Sequence, residues 1–436
     1  MTVRRLIVLF ALAAAIVGVQ SATAANSPNM RLVYSLLDPT SGRTDSDIAF
    51  WGNIGVAGNY DGFRVFDTQT QQVITTKLCR GPQNDVGLWE HNGRLLLFMG
   101  IDQPQRNTDG NDFCSEVRSS DTTACGPPFC FEGIRIFDLT NPAVPVLIKS
   151  VHTQCGSHTH TIVPDLKNTR LLLYISSYPG GSGPNCQAPF QKISIVQVPL
   201  NAPETASVIA TPPTTSNVPG CHDITVFMAI NKAAAACDEE GQIWDISDPA
   251  APDTLNPLHI DDPGVNYWHS ASFTWDGQYV VYNDESFTGS CQPGGDGRIR
   301  IFRVSDGQFM SSFMIPRPQG TYCSVHNGNI IPVLGKYLLV AGWYYGGTSV
   351  VDFTNPTQPQ EVAFWDFDSP SGESWSSYWY NGRIYSNDMV RGVDVFNMMT
   401  PYRPYGQQWT HLNAQTQEDL YIPSVTALGQ LSPARR

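Results

Sequence analysis

Charge is scarce in this chain, and positive charge is scarcer still. Only 15% of its 436 residues are charged, with 26 basic against 39 acidic side chains and a net charge of −13. So few cations leave no electrostatic footprint for a phosphate backbone or an anionic membrane surface, which excludes nucleic acid as a partner. Helical periodicity is almost absent, which excludes helical bundles and α/β layers. Beyond Val19 no apolar run reaches the roughly 20 residues that a membrane span needs. No C-x-x-C pair, H-E-x-x-H, Walker loop, G-x-S-x-G elbow or G-x-G-x-x-G unit is present. The common zinc, nucleotide and nucleophile-elbow templates therefore drop out, leaving a Ser-His-Asp triad recognisable only by geometry.

What is present begins with a basic start (Arg4, Arg5), an apolar stretch from Leu6 to Val19 and the small-x-small site Ala22-Thr23-Ala24. This reads as a secretory signal peptide over 1–24, with a secreted mature chain of 25–436. Ten cysteines suit an oxidising compartment. Cys79, Cys155, Cys221 and Cys323 each precede a repeat unit, and Cys114, Cys186 and Cys237 fall in later loops of the same units. The expected pairs are Cys79–Cys114, Cys155–Cys186 and Cys221–Cys237, leaving Cys125–Cys130 and Cys291–Cys323. Metal-binding thiolates are the alternative.

Short β-branched and aromatic runs alternate with Gly, Pro, Asn and Asp clusters, the pattern of an all-β chain. An internal repeat emerges in G-F-R-V-F-D (62–67), G-I-R-I-F-D-L-T-N-P (133–142), G-Q-I-W-D-I-S-D-P (241–249), G-R-I-R-I-F (297–302), G-T-S-V-V-D-F-T-N-P (347–356) and R-G-V-D-V-F (391–396). Lys192 to Val198 is a weaker copy. The expected fold is a single seven-bladed β-propeller, with these runs as third strands. A lone strand from Arg31 to Leu37 is expected to supply the outer strand of the last blade, closing the ring and removing two unpaired edges. From about residue 401 the chain reads as a tail. Two β domains joined in the Pro/Thr/Ser-rich stretch 201–220 are the alternative, but the repeat runs through that stretch.

The Gly-strand-Asp-x-(Ser/Thr)-(Asn/Asp)-Pro units resemble LVIVD repeats, found in bacterial exported β-propellers. The likeness is strongest from about Gly156 onward, in S-H-T-H-T-I-V-P-D-L (157–166), C-H-D-I-T-V (221–226), Y-W-H-S-A-S-F-T-W-D-G (267–277) and C-S-V-H-N-G-N-I-I-P-V (323–333). It continues in W-Y-Y-G-G-T-S-V-V-D-F (343–353) and S-W-S-S-Y-W-Y-N-G-R-I-Y (374–385). The resemblance implies the fold and export, and supplies no reaction.

Those blocks place His160, His222, His269 and His326 near the starts of successive units, at intervals close to the repeat length. Equivalent positions of neighbouring blades face one axis, so the four imidazoles are expected to converge as ligands of a transition metal: iron, copper or zinc. His158 is an alternative to His160, since residues two apart on a strand share a face. The arrangement is similar in kind to the iron site of carotenoid oxygenases, and S-H-T-H resembles the His-rich segment of copper-dependent methanethiol oxidases. Asp47, Asp85 and Trp375 hold the corresponding places in the other three units. Histidines at strand ends also serve as plain backbone hydrogen-bonding groups, the competing reading.

Asp223 follows His222 and is expected on the opposite strand face. Asp284, Glu285 and Asp388 end second strands and are expected at the opposite face or the channel's far rim, as turn caps first and acid–base groups second. Trp268, Trp343 and Trp375 are candidate substrate contacts, as are Asp223 and Glu285, whereas Trp379 and Tyr380 read as packing. Two functions follow. One is a metal-dependent enzyme, with oxidation as the first reaction class. The other is a non-catalytic extracellular protein binding a small molecule or acting as a scaffold.

Overall fold

The computed structural model describes residues 25–38, 44–107, 114, 116–118, 130–165, 167–178, 185–215, 220–262, 264–265, 267–286, 295–317, 323–333, 335–367, 373–399 and 409–418. The segment read as a signal peptide, residues 1–24, lies outside them.

The fold is all-β, in six sheets among the described residues. Its recurrent element is a four-stranded antiparallel meander, such as Thr159–Pro164, Arg170–Ser176, Ser194–Pro199 and Ser207–Ala210. Trp268–Phe273, Tyr279–Asp284, Ile299–Arg303 and Phe309–Phe313 repeat that order. The five-stranded sheets are the same meander with one short strand added. The nine-stranded sheet joins two meanders through a short parallel bridge, Asn327 to Ser376 and Gly328 to Ser377. Met30–Leu37 pairs antiparallel with Gly392–Met398 and forms the outer strand of the last meander.

The repeat's punctuation has a steric origin. Gly347 opens a third strand at φ +70° and Gly133 lies within another at φ +133°, and a Cβ there would run into the carbonyl oxygens of Trp365 and Val151 on the fourth strand. Only glycine lets the two strands close at that point. At the other end of the strand, Asp138, Asp245 and Asp352 accept backbone N–H bonds from Thr140, Ser247 and Thr354 at 3.0, 2.9 and 2.9 Å. These turns reverse the chain toward the fourth strand.

The core lies between facing sheets rather than within one. Leu171, Leu173 and Val196 pack on Phe98, Ile134 and Ile136 of the preceding sheet. The run Ala233 to Ala236 shows how packing overrides weak strand propensity. Ala234 and Ala236 lie against Phe227, Trp268 and Tyr282, while Ala233 and Ala235 lie against Tyr174 and Trp244. Large rings on both sides leave room only for methyl groups.

The first strand of each meander neighbours those before and after it, and the order returns from Ser374–Tyr380 to Asp45–Trp51. Residues 409–418 cross the C-terminal parts of these strands. His411–Leu412 pairs with Phe50 and Trp51, and Thr416–Gln417 runs parallel to Val226 and Phe227. Asn413 binds both backbone groups of Leu88 (2.7 and 2.9 Å), and Gln417 binds both of Phe273 (2.8 and 2.8 Å). The segment read from sequence as a featureless tail therefore ties several sheets together.

Cys79–Cys114, Cys155–Cys186 and Cys221–Cys237 are the expected disulfides. Cys323 is also disulfide-bonded, while Cys125 and Cys291 lie outside the described residues. No helix among the described residues is long and apolar enough to cross a membrane.

Candidate functional site

At the N-terminal ends of the first strands, opposite the end crossed by residues 409–418, histidine rings stand side by side. On Trp268–Phe273 the pleat sends Trp268 into the inter-sheet core against Tyr282 and Phe302 and sends His269 to the other face. Val325 and His326 divide in the same way, with Val325 in the core. The ring centroids of His222 and His269 are 3.8 Å apart, and those of His269 and His326 are 3.9 Å apart. All three rings are buried.

Their hydrogen bonds define which nitrogens are open. His326 Nδ1 lies 2.7 Å from the carbonyl oxygen of Trp375. A carbonyl only accepts, so this nitrogen carries the proton and Nε2 presents a lone pair, 3.8 Å from Glu285 Oε1. His222 Nδ1 pairs with Asp223 Oδ1 at 2.9 Å. Both are the outer contacts by which proteins orient metal-binding imidazoles. His269 differs: both of its ring nitrogens are buried without a hydrogen-bond partner, with Nε2 3.7 Å from Glu285 Oε2. Donor atoms of His222, His269 and Glu285 all lie within 4.8 Å of one another.

His158 Nε2 meets His222 Nε2 at 2.6 Å. Two nitrogens bound to one tetrahedral ion at ~2.1 Å would stand about 3.4 Å apart. This contact is therefore a hydrogen bond, and His158 borders the cluster without joining the ligand set. Burial works against a charged His158, yet Asp102, 3.3 Å from Nδ1, together with Asp223 and Glu285 leaves its pKa raised. The same burial, reinforced by neighbouring histidines, pushes His222, His269 and His326 well below the usual range. Neutral imidazole is the form that binds a metal. Burial lifts Glu285 to about 8 against a hydrogen bond from Tyr344, and lifts Asp223 to about 7 against one from Gln415.

Several expected site residues sit elsewhere. His160 is buried against the preceding sheet, its Nδ1 2.9 Å from Asp85 Oδ2 and its ring beside Phe98. The shared-face argument fails for the His158/His160 pair because the strand starts only at Thr159, so His158 does not follow its pleat. Trp268 and Trp343 are fully buried in inter-sheet packing and do not reach the site, whereas Trp375 does. Glu285 is not at the far rim. The second strand returns antiparallel, so its end lies beside the start of the first, and Asp284 pairs with Trp268. Asp284 and Asp388 act as turn anchors. Asp284 accepts from Gly297 N at 3.3 Å, and Asp388 accepts from the backbone of Glu373, Val390 and Arg391. His411 stacks on Trp51 at 4.3 Å.

The cluster opens into a cavity of about 460 Å³, lined by His158, His222, His326 and Glu285 at its base. Tyr60, Tyr267, Tyr344, Tyr345 and Trp375 form its walls, with Glu373 and Met389. Sequence reasoning selected tryptophans and none of these tyrosines as contacts, because the tyrosines lie in loops or at strand ends where no periodicity marks them. No protein-family model matches the chain, and no curated protein matches it.

Proposed function

We propose that this chain is an exported, single seven-bladed β-propeller of LVIVD-repeat type, carrying a transition metal on its axis and acting as a metal-dependent oxidoreductase on a small molecule. The closed order of first strands and the outer strand Met30–Leu37 support the propeller reading. The disulfides support an oxidising compartment. The metal reading is carried by His269, a fully buried imidazole with no hydrogen-bond partner, set between two others and facing a carboxylate. An orphaned buried polar group costs about 1–3 kcal/mol, and ligation of an ion removes that cost.

His269, His326 Nε2 and Glu285 would hold the ion, and His222 Nε2 would join them by exchanging its hydrogen bond to His158 for the metal. Three nitrogens and one carboxylate suit iron, copper or zinc and leave positions open toward the cavity. When bound, a redox-active metal supplies electron transfer. The chain's own groups do the rest: Trp375 and Asp223 orient the imidazoles, and the aromatic walls exclude water from the ligand.

Elemental analysis of protein purified without chelators or a histidine tag, beside His269→Ala and Glu285→Gln variants, tests this reading. Near-stoichiometric iron or copper in the parent, lost from variants with unchanged circular dichroism, is the expected result. Zinc would replace oxidation with Lewis-acid chemistry. Absence of metal after reconstitution would overturn the enzyme reading and leave a ligand-binding protein.

A further inference from the structure

The cavity above the histidines is unusual in what its walls withhold. Among the described residues no Lys or Arg lines it, while Glu285 and Glu373 do. His158, at its border, is paired with Asp102 at 3.3 Å. The tyrosine hydroxyls are also engaged: Tyr344 with Glu285, Tyr345 with Glu373, and Tyr267 with Tyr178 and Asp238. A ligand entering here therefore finds few donors for its oxygens, which disfavours carboxylates, phosphates and polyhydroxylated rings. It finds aromatic faces. Tyr60 and Trp375 stand 6.1 Å apart at 81°, and Tyr344 and Trp375 stand 6.1 Å apart at 60°. Steeply inclined rings form a concave wall around a compact group, whereas a flat sugar or polyene wants a parallel platform.

Ring faces carry negative quadrupole density, and a carboxylate at the rim adds to it. We infer that the cavity is a binding site for an organic cation, an alkylated or protonated amine on a small apolar body. Trp375, Tyr60 and Tyr344 form the cage, and Glu373 supplies the counter-charge. The volume of about 460 Å³ admits such a molecule with its head group in the cage and its body reaching toward the histidines. This names the ligand class of the site proposed above. It rests on the cavity being that site and does not require the metal to be present.

The experiment is calorimetric titration of the folded protein, metal-loaded and metal-free, with benzyltrimethylammonium and choline. The controls are the uncharged isostere 3,3-dimethylbutan-1-ol and the anion 3,3-dimethylbutanoate. Both cations are expected to bind, with the isostere at least roughly tenfold weaker than choline and the anion not binding. Trp375→Leu keeps the backbone carbonyl that holds His326, and is expected to weaken the cations roughly tenfold. Tyr60→Leu serves as a second cage variant, and Glu373→Gln is expected to cost several-fold. Equal binding of choline and its isostere, tighter binding of the anion, or no binding of either cation would overturn the inference. Metal content measured on the same samples separates that failure from failure of the metal reading.

Discussion

Replacing Asn413 by Ala removes a buried side chain whose Oδ1 accepts from Leu88 N–H at 2.7 Å and whose Nδ2 donates to Leu88 C=O at 2.9 Å. Leu88 is fully buried and Asn413 nearly so, so water does not readily replace the lost partner. Each stranded backbone group costs about 1–3 kcal/mol, which gives a predicted loss of ~2–6 kcal/mol for the pair. Thr410→Ala, at an exposed position of the same segment, is expected to stay within about 0.5 kcal/mol. Urea unfolding followed by tryptophan fluorescence measures both changes, and hydrogen exchange at the Leu88 amide reports whether the segment remains seated. Gln417 makes the same two-bond contact with Phe273, so Gln417→Ala is expected to fall in the same range. If residues 409–418 seat as one unit, the double variant loses less than the sum, because the first loss already loosens the second contact. A loss below about 0.5 kcal/mol for Asn413→Ala, with Leu88 still protected from exchange, would refute the view that these contacts hold the sheets together.

Three further outcomes are expected. Burial, with the Asp85 and Asp223 charges, raises Asp47 from 3.8 to about 8. A raised folded-state value means stability that is full below about 4 and is lost as pH climbs toward 8, so Asp47→Asn should flatten the fall in melting temperature across that window. An unchanged slope would discard Asp47 as its source. The Cys221–Cys237 bridge has a sequence separation of 16, and its replacement by two serines is expected to cost about 2–3 kcal/mol in the same denaturation assay. Ala235→Leu, pressed against Trp244 and Tyr174, is expected to lose about 1–3 kcal/mol through overpacking; a neutral result would mean slack between those sheets that the burial does not indicate.

The parts of the structure legible in the sequence are those governed by local chemistry. Gly133 and Gly347 mark third strands because no other residue lets the fourth strand close over them, and the following Asp marks the turn through its own backbone bonds. The disulfides were legible because each pair flanks strands of one meander. The side-by-side placement of His222, His269 and His326 was legible through their shared position at strand starts. Long-range register was not. Whether His158 or His160 faces His222 depends on where one strand begins, and Glu285 reaches His269 only because an antiparallel return brings its end back. Residues 409–418 carried least signal: their amide side chains bond to the backbones of other sheets, a contact that leaves no periodicity in the segment itself.

The two ends of the described chain finish work begun in between. Met30–Leu37 waits for Gly392–Met398 before it has a partner, and the first strands wait for residues 409–418 before backbone groups such as those of Leu88 and Phe273 are satisfied. A polypeptide stopped short of residue 409 would therefore advertise its own incompleteness, with bare amides open to proteases and chaperones. Residues 409–418 thus act as a built-in check that synthesis has passed them, and products truncated before them should be cleared rather than accumulate as near-native competitors.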